Sequence, residues 1–160
     1  MNPLARKLRT ARGFSPETLR TFRVSLLWIP MAGALIHALG FRRLEHLVSR
    51  CLVPAQHGPA SLPPGKAKEA VETGFRIALK YTPYKGTCLS RSVLLRALLR
   101  AQSLDSTLYV GVRKDLESLQ AHAWVDAEGV GCGPDSGIET DFHRMPCLPA
   151  SGALSEHGAR

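Results

Sequence analysis

Acidic and aromatic residues are both scarce in this chain. Its 160 residues include 13 Asp and Glu against 21 Lys and Arg, which gives a formal net charge of +8. A basic chain favours acidic partners such as nucleic acid, anionic lipid or an acidic peptide. Only 6% of the residues are aromatic and no known nucleic-acid-reading motif is present. We therefore expect a solvated, arginine-rich helical surface and no nucleic-acid partner.

Closely spaced cysteine pairs are also missing. The four cysteines are unevenly spaced: Cys51, Cys88, Cys132 and Cys147. The spacing of the last two, with Asp141 and His143, matches no standard zinc site, so we expect no metal and no cofactor. The basic, polar N-terminal segment lacks the apolar core and cleavage site of a secretory signal. These features predict reduced cysteines and a cytoplasmic location.

Long hydrophobic runs are limited to one segment. Residues 24–41 are strongly apolar and are flanked by two arginines on each side. A membrane-spanning helix usually needs about 20 apolar residues, and this run also contains Pro30, Gly33, His37 and Gly40. We expect a buried or partner-facing helix rather than a membrane span, with a bend or restart near Pro30.

The remaining pattern predicts helices followed by short strands. Ser15 and Pro16 are typical of a helix start. Apolar residues at helical spacing predict three further helices, over 41–52, 66–81 and 88–101. Alternating residues predict three short strands, over 107–112, 121–127 and 130–132, the last two joined by a hairpin turn at Glu128 and Gly129. After Gly133 we expect loops, a brief helix near residues 140–143 and a mobile tail.

Two segments carry the residues of a cysteine nucleophile site. Cys88 follows Thr87, a natural N-cap, so its thiol lies at the positive end of the helix predicted over 88–101. That position favours the thiolate, which is the reactive form of cysteine. His122 lies in the alternating segment 121–127, where an imidazole in apolar surroundings needs a polar partner. We therefore predict Cys88 as the nucleophile and His122 as its general base.

Two acids compete to orient His122. Asp126 shares a strand face with His122 by alternation, but it lies about 13 Å further along the strand. Asp135 follows the predicted hairpin, which returns the chain beside His122. Geometry therefore favours Asp135 over Asp126, with Asp141 as a third candidate. The structural alternatives are an inert buried Cys88 and a hydrogen-bonded core histidine.

These blocks resemble the leader peptidases of lasso-peptide biosynthesis, a transglutaminase-like branch of the papain-type fold. The segments Cys88–Arg100, Leu108–Arg113 and Ala121–Val125 are similar to that family's C-x-x-R-S helix, its (I/L)-G-V-R strand and its A-H-A-W-V strand. The part that carries the motifs runs from about residue 80 to residue 135. The resemblance implies an α+β fold, with a transglutaminase-like or papain-like cysteine peptidase core and an N-terminal helical extension.

The same resemblance implies a function and a division of the chain. Such a protein cleaves the leader from a ribosomally made precursor peptide with a triad, here Cys88, His122 and Asp135. We expect a helical region and linker over residues 1–60, the catalytic domain over 61–150 and a flexible tail over 151–160. Because the first 80 residues show no strands of a fused leader-recognition domain, the resemblance implies a separate leader-binding protein. A macrolactam cyclase is implied as a further partner.

Other assignments stay open at the level of sequence. The backbone N–H of Cys88 is one natural oxyanion donor. For the second donor, a papain-like site implies a glutamine upstream, where this chain has Thr82, and Tyr81, Tyr84 and Lys85 are alternatives. The reaction itself has alternatives, since a transglutaminase-like site also transfers acyl groups to amines. A non-enzymatic scaffold protein of the maturation complex is the third hypothesis.

Overall fold

The chain folds as helices followed by an antiparallel sheet. The computed structural model describes residues 14–52, 62–114, 118–134, 137 and 139–145. Its helices are α1 (Pro16–Leu52), α2 (Pro64–Tyr81) and α3 (Cys88–Ala101). Its strands are β1 (Ser106–Lys114), β2 (Leu119–Ala127), β3 (Val130–Cys132) and β4 (His143–Arg144), with a 3-10 turn over Glu139–Asp141. The predicted α+β class is confirmed.

Helix α1 starts where the sequence predicts, and its backbone breaks at Gly40, directly before the helix predicted over 41–52. The Ser15 hydroxyl accepts a hydrogen bond from the Thr18 N–H at 3.2 Å, as an N-cap does. The prediction of a bend near Pro30 was wrong, because the only non-helical residue inside α1 is Gly40, with φ 74° and ψ 172°. Pro30 keeps helical backbone angles, whereas Gly40 takes a positive φ, which glycine adopts without steric cost.

Helix α3 is the central element of the fold. It buries nine of its 14 residues, including Leu94, Leu95, Leu98 and Leu99. It packs against α1 and α2 and also against β1 and β2. This burial fixes the position of its first residue, Cys88, relative to the sheet.

The sheet is antiparallel throughout, in the order β3-β2-β1-β4. The long β1–β2 pair runs in register from Ser106 opposite Ala127 to Lys114 opposite Leu119. The predicted hairpin between β2 and β3 is confirmed, and both turn residues have positive φ, 55° at Glu128 and 78° at Gly129. Two positive φ angles match the turn that the twist of a two-residue hairpin requires.

One hydrophobic core joins the helices to the sheet. It contains Ile29 and Leu44 of α1, Phe75 of α2, Leu94 of α3 and Val125 of β2. The boundary predicted after residue 60 and the tail predicted over 151–160 lie outside the described residues. Those two divisions of the chain stay predictions.

Candidate active site

The start of α3 is held by a capping box. The Thr87 hydroxyl accepts a hydrogen bond from the Ser90 N–H at 3.2 Å, and the Ser90 hydroxyl accepts one from the Thr87 N–H at 3.0 Å. Thr87 is therefore the N-cap, as predicted, and Cys88 is the first residue of the helix. The Cys88 side chain is half-buried and is not part of a disulfide. Its thiol lies at the positive end of α3.

Two glycines clamp the turn before α3 against α1. A Cβ at Gly33 would lie 2.6 Å from Tyr84 Cε1 and 2.8 Å from the Gly86 Cα. A Cβ at Gly86 would lie 2.6 Å from the Ser90 Oγ, and Gly86 has a φ of 65°. Neither position admits a side chain without a shift of its neighbours. The close contact with α1 therefore fixes the position of the first turn of α3, which begins with Cys88.

On the sheet, His122 lies in a layer of rings. Its ring centroid lies 6.3 Å from that of Trp124, with nearly parallel planes, and 5.3 Å from that of Phe142. The register places Gly111 opposite His122, and a Cβ at Gly111 would lie 2.8 Å from the Trp124 ring. The prediction that His122 and Trp124 share one face of the strand is confirmed. The missing side chain at Gly111 makes room for that layer.

The next residue of β2, Ala123, faces the core and is tied to α3. The buried Ser92 hydroxyl donates a hydrogen bond of 2.9 Å to the Ala123 carbonyl. Met145 N–H donates to the Val110 carbonyl at 2.9 Å, so that carbonyl points towards β4. Two residues that lie opposite each other in an antiparallel pair either both point their N–H and C=O groups at each other or both point them away. Val110 lies opposite Ala123, and its carbonyl points away from β2. The Ala123 carbonyl therefore points away from β1.

On that side of Ala123, no strand of the described residues pairs with it. β3 ends at Cys132, which lies opposite Val125, so the Ala123 carbonyl is past the end of β3. The Ser92 hydroxyl therefore supplies the donor that a longer β3 would have supplied. The second turn of α3 lies directly beside this open edge of β2.

This arrangement brings the two predicted catalytic segments together. Cys88 is one helical turn before Ser92, and His122 is the residue before Ala123, so the hydrogen bond joins the two segments close to both residues. Alternation turns the imidazole to the face of the sheet opposite the core-facing Ala123. Within the described part of the chain, His122 Nε2 is buried and makes no hydrogen bond. The imidazole Nε2 is therefore not bonded to the Cys88 thiol, and the pairing of the two side chains stays a prediction.

A small cavity marks the meeting point of α3 and β2. Four of its lining residues are Arg91 of α3, Trp124 and Ala123 of β2, and Pro134, which follows β3. Arg91 lies one turn after Cys88, so this cavity adjoins the nucleophile's end of the helix. Two of its lining residues, Arg91 and Trp124, bring buried side-chain nitrogen atoms to it, Nε and Nε1 respectively.

The three candidate acids fall in different places. Asp135 lies outside the described residues, so its assignment stays a prediction. Asp126 pairs with Arg144 at 3.7 Å, and its side chain is 13% exposed. Asp141 pairs with Arg113 at 3.7 Å, and its side chain is 55% exposed. Each described acid is thus engaged by an arginine.

The position at which the resemblance implies an oxyanion glutamine serves the fold instead. The Thr82 hydroxyl donates to the Ala78 carbonyl at 2.8 Å and helps to close α2. Thr82 is 4% exposed, so it has no free donor to offer a substrate. Tyr84 packs its ring on Gly33. The Cys88 N–H at the start of α3 is the remaining backbone candidate.

Sequence reasoning missed Ser92 and Phe142. Ser92 interrupts an apolar helix, and a buried hydroxyl always needs a partner, which is the signal that could have drawn attention to it. Phe142 lies beyond the predicted strands, and nothing local indicates that its ring contacts His122. The remaining described cysteine of the sheet, Cys132, is buried, and burial raises the pKa of its thiol. That thiol is therefore protonated at neutral pH and a poor nucleophile.

Comparison with known proteins agrees with this geometry. A family model described as the transglutaminase-like superfamily matches residues 32–147. The chain belongs to the transglutaminase-like superfamily. Members of this superfamily commonly have cysteine-dependent catalytic activity, and they include cysteine peptidases and acyltransferases. Searches of curated proteins and of solved structures gave no significant match. The matched range includes every candidate catalytic residue and most of α1.

Proposed function

We propose that this protein is a cysteine peptidase that removes the leader from a ribosomally made, lasso-type precursor peptide. The observation that carries the proposal is the junction of α3 and β2. Cys88 stands at a capped helix start, and the Ser92–Ala123 hydrogen bond holds that helix beside the strand that bears His122. Membership of the transglutaminase-like superfamily and the three motif blocks support the same reading.

The reaction proceeds in two steps. The Cys88 sulfur attacks the carbonyl of the bond between leader and core, and His122 takes the thiol proton. The imidazolium then protonates the departing amine of the core as a thioester forms on the leader. Water, deprotonated by His122, hydrolyses the thioester and releases the leader acid and the Cys88 thiol. Asp135 orients the imidazole, and the Cys88 N–H stabilises the oxyanion.

The proposal requires the Cys88 sulfur and His122 Nε2 to meet when the precursor binds. Catalytic hydrogen bonds are often long or absent without substrate and tighten in the complex. A buried Nε2 with no hydrogen bond is energetically costly, by about 1–3 kcal/mol. Contact with the thiol or with the departing amine would satisfy that nitrogen.

The proposed partners are those that the resemblance to the leader peptidases implies. The substrate is the precursor peptide, and a separate protein binds its leader. A macrolactam cyclase then uses the freed amine, and the steps take place in the cytoplasm.

The direct test measures leader removal by mass spectrometry with purified precursor and leader-binding protein. We expect Cys88→Ala and His122→Ala each to abolish cleavage. Cys51→Ala is the matched control, because Cys51 is an exposed cysteine far from the site in sequence, and it should cleave like the unmodified protein. Circular dichroism verifies that each variant is folded. Cleavage by the Cys88→Ala protein would exclude the proposal.

Two observations favour alternative functions, and experiments on the same purified protein test both. The superfamily includes acyltransferases, so the thioester could pass to an amine instead of water; an added amine would then appear in the product mass. Among the residues that the structure describes, His122 Nε2 makes no hydrogen bond, which favours a non-enzymatic scaffold. Iodoacetamide titration of Cys88 separates that case, because a catalytic thiol reacts well below the ordinary cysteine pKa of about 8.5.

A further inference from the structure

Helix α1 exposes an apolar stripe that the proposed peptidase site does not use. The stripe consists of Leu27, Met31, Ala34 and Ala38, which recur at the three- and four-residue spacing of one helix face. Leu27 is 64% exposed and Met31 is 37% exposed, and both alanines are exposed. Folded proteins rarely leave such a continuous apolar surface in water unless it meets something.

The other face of α1 excludes one explanation of this stripe. By length and composition α1 could cross a membrane, and 22% of its most apolar stretch is buried within the protein. Ile29 is 2% exposed and Ala32 is 0% exposed, and both belong to the core. A helix that crossed a bilayer would have to remove these residues from the core. Helix α1 therefore offers one side to an apolar surface while its other side stays packed in the fold.

Charge distinguishes the kind of surface. No acidic residue occurs between Glu17 and Glu45. Arg23 lies just before the stripe, and Arg42 and Arg43 lie just after it, and all three are exposed. An apolar stripe bounded at both ends by cations, with no acid between them, matches the boundary of acyl chains and anionic headgroups.

We propose that α1 attaches this protein to the surface of an anionic membrane, with the stripe in the acyl boundary and Arg23, Arg42 and Arg43 at the phosphates. A lipid surface is favoured over a protein groove because the stripe has no hydrogen-bonding side chain that would set the orientation of a protein partner. Attachment along one face leaves the helix in place and keeps the α3–β2 junction on the protein side.

The experiment measures binding of the full chain to vesicles by flotation. Vesicles of phosphatidylglycerol and phosphatidylcholine are compared with vesicles of phosphatidylcholine alone. We expect binding only to the anionic vesicles, and we expect high salt to reduce it. The Leu27→Asp and Met31→Asp double variant should bind about tenfold less or weaker still. The Arg42→Ser and Arg43→Ser double variant should bind more weakly, by roughly fivefold for each charge removed.

The matched control is Leu119→Asp, because Leu119 is 71% exposed on β2 and lies outside α1. It should bind vesicles like the unmodified chain, and circular dichroism must show that every variant is folded. Should the double aspartate variant not fold, Leu27→Ser alone with the arginine variant repeats the test. Equal binding by the stripe variants, equal binding to neutral vesicles, or no binding to anionic vesicles would overturn the proposal. A failure to bind anionic vesicles would indicate instead that the stripe contacts a protein partner.

Discussion

The sharpest structural prediction concerns the Ser92 hydroxyl. The change Ser92→Ala removes the donor to the Ala123 carbonyl and little else, because Ser92 is 6% exposed and Ala123 is 3% exposed. A buried carbonyl that loses its partner costs about 1–3 kcal/mol. For a domain of this size each kcal/mol lowers the melting temperature by about 2–4 °C. We therefore expect a loss of roughly 2–12 °C in melting temperature.

The same change should also loosen the strand that carries His122. Hydrogen exchange of the amides in β2 next to Ala123 should quicken more than that of β4. Leader cleavage should fall, while alkylation of Cys88 by iodoacetamide stays near the unmodified rate, since the capping box at Thr87 is untouched. Ser118→Ala is the control, because Ser118 is exposed and lies directly before β2. A Ser92→Ala melting temperature within about 1 °C of the unmodified protein would refute the reasoning.

Two further substitutions test the ring packing beside β1 and the ion pair between α3 and α1. Gly111→Ala places a Cβ 2.8 Å from the Trp124 ring, so we expect a loss of about 1–3 kcal/mol in urea unfolding and a shift of tryptophan fluorescence; an unchanged spectrum would argue against the packing. Arg96→Ala breaks the ion pair with Glu45 and the 3.2 Å bond to the Ser106 carbonyl. It should cost about 1–3 kcal/mol, and the double variant with Glu45→Ala should cost less than the sum of the single losses.

Much of the fold was predictable because its signals are local. Ser15 and Thr87 cap helices at the positions their hydroxyls indicate, and each is confirmed by a hydrogen bond within its own turn. The hairpin at Glu128 and Gly129 is equally local. Two predictions failed: the bend near Pro30, since the backbone breaks at Gly40 instead, and the loop expected where β4 forms. Strand β4 depends on its pairing with β1, a contact between residues distant in sequence.

The candidate site was predictable in its residues more than in its geometry. Cys88 and His122 are marked by a cap and by a polar residue in an alternating strand, and both belong to the family's motif blocks. The contact that brings their segments together involves Ser92 and Ala123, which are 31 residues apart, so no local pattern pairs them. Asp135 lies outside the described residues, and its role stays a prediction.

The sequence by itself determined which segments become helices and strands, because periodicity, capping and turn chemistry act over a few residues. Only the tertiary structure decided that β3 stops short of Ala123 and that α3 fills the gap with Ser92. It also decided that α1 buries one side in the core and leaves Leu27 and Met31 outside. These outcomes depend on contacts between residues that are distant in sequence, and such contacts form only when the helices pack on the sheet.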